Sequence, residues 1–223
     1  MSGSGLLEAG ECSTYFEALD WFIDLLEHDE VAAAWERPSA LSGYTVGGVA
    51  AHAVFGSLLR PLQLLKEPEP TGRLVSVATY YTPNRVEDPA AIDPLFEQLR
   101  LVSEDMARQG VGQLRTTAVA ARSALATVVP ATRAERPIAL ARIPDGASIF
   151  SDYLRTRVLE LVVHGDDVVS SIEGFVVEDP PRSASEVSLG VCLELARSRL
   201  GDIDTLRAFT RAERVDPGVL RVL

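Results

Sequence analysis

Apolar side chains recur at helical spacing along most of the chain, the rhythm by which an α-helix turns one stripe of residues toward a core. Phe16, Leu19, Phe22, Ile23 and Leu26 carry it through a first helix over Tyr15–Glu27, with Ser13 or Thr14 available as N-cap. After a turn marked by Pro38 and Gly43, Thr45 caps a second helix running from Val46 toward Leu65, with a kink or stop at Pro61. The stretch from Glu67 to Pro94 holds five prolines and reads as a long crossover connection. Leu95, Phe96, Leu99, Val102 and Met106 restore the helical spacing, Gly110 and Gly112 interrupt it, and Leu114–Val129 resumes it. Pro137–Ile143 is β-compatible and ends at the turn-like Pro144-Asp145-Gly146. A long helix then spans about Ile149 to Ile172 and stops before Gly174. Ser183–Leu200 forms another, closed by Gly201, and Ile203–Arg214 a short last one before Pro217.

The pattern therefore predicts an all-α fold, apart from that one short stretch. Four substantial helices with unequal connections make a bundle, in which facing helices can build a site from inward side chains. Residues 13–201 are expected to form this bundle and 202–223 a short C-terminal helical extension. With 223 residues, of which 47% are hydrophobic, the core is large enough to need no disulfide framework. Cys12 and Cys192 stand far apart, outside any CxxC spacing, and read as buried small hydrophobes. A formal charge of -11 argues against a nucleic-acid partner, which requires a positive surface. The N-terminal residues lack a basic segment followed by an apolar one, and no run reaches the roughly 18 apolar residues of a membrane span. A cytoplasmic protein with no membrane association is the expectation.

The long fourth helix carries more polar surface than solvation requires. Arg157, Glu160, His164 and Asp167 fall within a sector of about 80° on one face. Arg155, Asp166, Ser170 and Glu173 make a second polar sector, so one of the two is surplus. Val163 on one side, and Leu161 with Val168 on the other, border the first sector with apolar groups; Leu159 intrudes on the second. Glu160 and His164 stand at i, i+4, a spacing that lets a carboxylate oxygen and an imidazole nitrogen reach one cation. A third ligand must come from elsewhere, from His28 or His52. His28 lies in the polar segment Glu27-His28-Asp29-Glu30, whereas His52 lies on an apolar helix with Gly48 and Gly56 four residues to either side. Those glycines weaken the helix and leave space on the His52 face. Plainer readings stand beside this one. His52 can be a hydrogen-bonded core histidine with glycines for close packing, and Glu160/His164 a solvated helix pair. Arg157 and Asp167 can form a structural ion pair, or orient a ligand carboxylate and imidazole.

The segment Tyr44-Thr45-Val46-Gly47-Gly48-Val49-Ala50-Ala51-His52, followed by Arg157-x2-Glu160-x3-His164-x2-Asp167, resembles the metal-binding domain of mycothiol-dependent maleylpyruvate isomerase, within the DinB-like helical bundle superfamily. The likeness extends in order of elements from Phe16 to Arg199. It implies a four-helix bundle holding a divalent metal, typically zinc, on His52, Glu160 and His164. Arg157 and Asp167 then act beside the metal as orienting or substrate-contacting groups. The family's named member isomerises maleylpyruvate with mycothiol, the low-molecular-weight thiol of actinobacteria; related bundles transfer thiols to other electrophiles or have no known reaction. Two departures matter. Only a short tail follows Gly201, where the isomerase has a separate C-terminal domain with basic substrate contacts, and Gly47-Gly48 replaces more polar residues.

Three protein ligands leave a fourth position for water or substrate, as in catalytic zinc sites. A thiol there is favoured as thiolate and can attack an electrophilic carbon. The expected partners are thus a small-molecule thiol, mycothiol as cosubstrate, and an electrophilic substrate, the protein being a monomer or homodimer. The competing readings are a metal-dependent hydrolase, which activates water at the same position, and a non-catalytic module in which the metal fastens two helices.

Overall fold

The computed structural model describes residues 5–81, 94–141, 143–211, 213 and 220. Its helices are α1 (Ala9–Leu25), α2 (Asp29–Ala34), α3 (Val46–Val54), α4 (Arg60–Leu64), α5 (Val77–Tyr80), α6 (Pro94–Ala107), α7 (Val111–Val128), α8 (Phe150–Ser170), α9 (Arg182–Leu200) and α10 (Asp202–Thr210). A π-helical turn over Phe55–Leu59 joins α3 to α4 without a break. Strands β1 (Arg73–Leu74), β2 (Pro137–Ala139) and β3 (Gly146–Ile149) form one small sheet in the order β1-β3-β2. β1 runs parallel to β3, pairing Arg73 with Gly146, and β2 runs antiparallel to it, pairing Ile138 with Ser148.

The predicted all-α bundle is what forms. α1, the α3–α4 rod, α7 and α8 surround one core, with α6 along α3 and α9 along α8. Tyr15, Leu19 and Phe22 from α1, Leu58 from the π turn, Leu125 from α7, and Phe150 and Leu161 from α8 are essentially excluded from solvent. α1 and α8 come close because Gly165 has no side chain: a Cβ there would stand 2.3 Å from the Trp21 ring. No described helix is long and apolar enough to cross a membrane.

Local chemistry moves several boundaries. α1 starts well before Ser13, because the Glu11 carboxylate reaches back to accept the Glu8 N–H at 3.0 Å. Ser13, expected as a cap, instead donates to Glu17 from inside the helix. Pro61 does not stop the second helix. It supplies no N–H, so the Ser57 carbonyl four residues earlier lacks its helical donor. The helix passes this point in the π turn, and the Tyr15 hydroxyl donates to the Ser57 carbonyl. The long connection also has structure of its own, β1 and α5; its residues 82–93 lie outside those described, as does Arg214 at the expected end of the last helix. β3 went unforeseen, since its four residues lead straight into α8.

Candidate metal centre

His52 projects from α3, Glu160 and His164 from adjacent turns of α8, and their donor atoms all lie within 4.8 Å of one another. Among the described residues this is the one such cluster. Glu160 Oε2 is 3.1 Å from His164 Nε2, and the two imidazoles meet edge to face with centroids 5.0 Å apart. α3 carries His52 into this position because its first turn is fixed. The Thr45 hydroxyl accepts the Gly48 N–H, while Glu104 of α6 accepts from both the N–H and the hydroxyl of Thr45 at 2.8 and 2.9 Å. This overturns the expectation of open space beside the histidine at Gly48 but not at Gly56, where a side chain would meet only ordinary contact. A Cβ on Gly48 would fall 2.1 Å from Glu104 Oε1, and one on Gly56 would touch Arg157 Nη1 at 3.5 Å. At Gly48 the absent side chain admits the Glu104 carboxylate that braces the helix.

Each candidate ligand has a partner on its far side. Asp167 Oδ2 lies 2.9 Å from His164 Nδ1, so a proton on Nδ1 leaves Nε2 facing Glu160 and His52. Ser103 of α6 donates to the Leu99 carbonyl at 2.7 Å, which leaves its oxygen an acceptor toward His52 Nδ1 at 3.4 Å. The hydrogen-bond network thus assigns the His52 proton to Nδ1 and a lone pair to Nε2. Tyr81 donates to Glu160 Oε1 at 3.0 Å. Arg157 is buried, with 5% of its surface accessible. Its Nη2 donates to the Tyr80 hydroxyl at 2.8 Å, its Nη1 to the Gly56 carbonyl at 3.3 Å, and it lies over the Tyr153 ring. An ion pair between Arg157 and Asp167 does not form: Arg157 faces Glu160 at 4.0 Å and Asp167 faces His164.

These contacts separate the protonation states of the two histidines. Burial lowers the His52 pKa to about 4, helped by the neighbouring His164, so the ring is neutral. Burial works in the same direction on His164, but hydrogen bonds to Asp167 and Glu160 outweigh it and raise that pKa to about 9. Glu160 is held well below the usual carboxylate range: burial opposes its charge, but His164 and Arg157 overcome that effect.

The donor set fits a divalent metal. Bonds of about 2.0–2.1 Å in a tetrahedron place donors roughly 3.4 Å apart, so the Glu160–His164 pair at 3.1 Å is already close to that spacing, and His52, within 4.8 Å of both, has to close in by no more than about 1.4 Å. Two imidazole nitrogens and one carboxylate oxygen match zinc and other first-row divalent ions. The side chains of Glu160 and His164 keep 22% and 12% of their surface accessible, leaving a way in. A shallow surface depression between the α2–α3 loop and α6 includes Tyr44, which also meets His52 edge-on at 5.7 Å; none of the three donors lines it.

All five residues singled out in the sequence are accounted for. His52, Glu160 and His164 converge, Asp167 supports His164, and Arg157 is buried with its Nη2 4.0 Å from Glu160. His28 is exposed and packs on Phe175, apart from the cluster. Cys12 is buried and Cys192 half-buried, and burial pushes both thiols up. The second polar sector of α8 is also partly covered: Arg155 pairs with Asp152 and with Glu194 of α9. Ser103, Tyr80 and Tyr81 escaped sequence reasoning. Ser103 had left a trace as a polar residue on the apolar stripe of α6, between Leu99 and Met106; the tyrosines had left one as an aromatic pair in a polar connection.

The family described as the mycothiol maleylpyruvate isomerase N-terminal domain matches residues 17–169, which is more than half of the chain and includes every residue of the cluster and its partners. No curated protein and no solved structure matches the chain.

Proposed function

The chain belongs to the mycothiol maleylpyruvate isomerase N-terminal domain family, and from that premise we propose a metal-dependent enzyme that joins a low-molecular-weight thiol, mycothiol or a close analogue, to a small electrophile. The carrying observation is the convergence of His52, Glu160 and His164, with Ser103, Tyr81 and Asp167 each behind one of them. In this reading the three residues hold one divalent ion, zinc as the first candidate. A metal bound there favours the thiolate of a coordinated thiol near neutral pH.

The protein's own groups do the rest. Neutral His52 and ionised Glu160 are already in ligand form, and Asp167 holds His164 so that its Nε2 points inward once deprotonated. Arg157 keeps Glu160 charged in a buried setting. The thiol gives up its proton to solvent and its sulfur adds to an electrophilic carbon as the carbon–carbon π bond there opens; the displaced electron pair then either takes a proton from solvent, giving a released thioether, or, after rotation about the former double bond, re-forms the π bond and expels the thiolate, leaving an isomerised product. Supporting this reading are the donor set, the partial accessibility of Glu160 and His164, and the family match.

Cobalt(II) makes the test direct. Protein reconstituted with one cobalt per chain should develop a sulfur-to-metal charge-transfer band in the near ultraviolet on addition of mycothiol. If mycothiol and simpler thiols leave the spectrum unchanged while an ester or amide is hydrolysed by water, the transferase reading fails and a hydrolase takes its place.

A further inference from the structure

Tyr81 has no part in a three-ligand account of the site, yet its hydroxyl lies against one of the three ligands. Glu160 has two oxygens in different surroundings: Oε2 is 3.1 Å from His164 Nε2, on the side where the donors converge, and Oε1 accepts from the Tyr81 hydroxyl at 3.0 Å. An ionised carboxylate offers only acceptors, so in this contact the phenol is the donor. We infer that Tyr81 is a positioning residue that makes Glu160 a one-oxygen ligand, occupying Oε1 so that Oε2 alone is offered to the metal and a coordination position stays open. This rests on the metal-site reading above and specifies how that site is kept open.

The local structure is built to hold the phenol still. Tyr81 follows the last residue of α5, a single turn whose start is fixed by the Ser76 hydroxyl accepting the Thr79 N–H at 3.2 Å. Its ring is buried with Val77, Leu159, Val191 and Leu195, between α8 and α9. Tyr80, one residue earlier, meets it edge to face at 4.9 Å and accepts from Arg157 at 2.8 Å. One turn of helix therefore reaches both charged groups that α8 buries here. Arg157 cannot replace the phenol, since its nearest nitrogen is 4.0 Å from Oε1 and is engaged by Tyr80. Without the Tyr81 donor, Oε1 is free to swing toward the metal as a second ligand atom.

The test uses cobalt(II) bound to the full chain. Tyr81→Phe keeps the ring in its apolar setting and removes only the donor, and circular dichroism checks that the variant is folded. Four-coordinate cobalt absorbs several-fold more strongly in the visible than five- or six-coordinate cobalt, so Tyr81→Phe should lose at least half of the wild-type intensity. Its cobalt affinity should fall by about 10-fold, the scale of losing a group that orients a ligand. Val191→Ala, which loosens the packing around the Tyr81 ring but leaves its hydroxyl in place, should keep the wild-type spectrum. A packing role alone would lower the melting temperature of Tyr81→Phe without changing its cobalt spectrum, and that result overturns the inference; so does an equal spectral change in Val191→Ala. If the wild-type chain binds no cobalt, the metal-site reading itself has failed, and the Tyr81 role with it.

Discussion

Metal binding should release one proton per ion at neutral pH, and that proton should come from His164. In the metal-free protein the His164 pKa is raised to about 9, because hydrogen bonds to Asp167 and Glu160 outweigh its burial. At pH 7.5 the ring is therefore an imidazolium with an N–H toward each carboxylate. A metal that takes Nε2 displaces one of those protons. His52, lowered to about 4, and Glu160, already ionised, contribute none. Affinity should then rise tenfold per pH unit up to about pH 9 and level off above it. From pH 6.5 to 8.5 this is about 100-fold, or about 2.7 kcal/mol. Titration calorimetry in two buffers of different ionisation enthalpy counts the protons, and competition with a chelator gives the slope. Asp167→Asn keeps an acceptor for Nδ1–H but removes the charge, so it should lower both the proton count at pH 7.5 and the pH at which affinity levels off. The same shift acts on folding. A histidine whose pKa is raised in the folded state contributes stability that is complete below its ordinary value near 6.5 and is lost as pH rises through about 9. The metal-free protein should thus melt at progressively lower temperature over that interval. Zero proton release at pH 7.5, or an affinity flat between pH 6.5 and 8.5, would refute the assignment of the displaced proton to His164.

Alanine at His52, Glu160 or His164 should each abolish most of the bound metal, measured by elemental analysis of purified protein, whereas His28→Ala should retain it. Full occupancy in His52→Ala would remove α3 from the site. Tyr15→Phe leaves the Ser57 carbonyl buried without a donor and should cost about 1–3 kcal/mol in denaturant unfolding; a loss below 0.5 kcal/mol would mean that the π turn satisfies this carbonyl by itself.

The parts of the site within one helix were legible in advance, and of the groups on other elements only His52 was. Glu160, His164 and Asp167 share a face of α8 by helical periodicity alone, and an apolar border around a polar stripe marks it as buried. His52 could be nominated because it is a lone histidine on an apolar helix, although Gly48 beside it makes room for the Glu104 carboxylate and not for a ligand. Ser103, Tyr80 and Tyr81 act across contacts between elements, and no spacing within one segment encodes such a contact. The sheet was half visible for a similar reason, since β1 has only two residues and is defined by pairing to β3 from a distant part of the chain. α1 starts earlier than the expected cap at Ser13 or Thr14 because Glu11 accepts the Glu8 N–H.

The π turn after His52 also bears on how the second helix can be altered. A π turn is an α-helix carrying one residue more than its regular pitch accommodates, so the segments before and after it are out of phase by about 100°. A helical wheel drawn from Val46 to Leu65 as one piece therefore misplaces half of the rod. Length here is a functional variable: deleting one residue from the turn would restore a regular helix only by rotating α4 against the core or His52 away from α8. A substitution in this rod acts at its own position, whereas a single-residue insertion or deletion changes the orientation of the site as a whole.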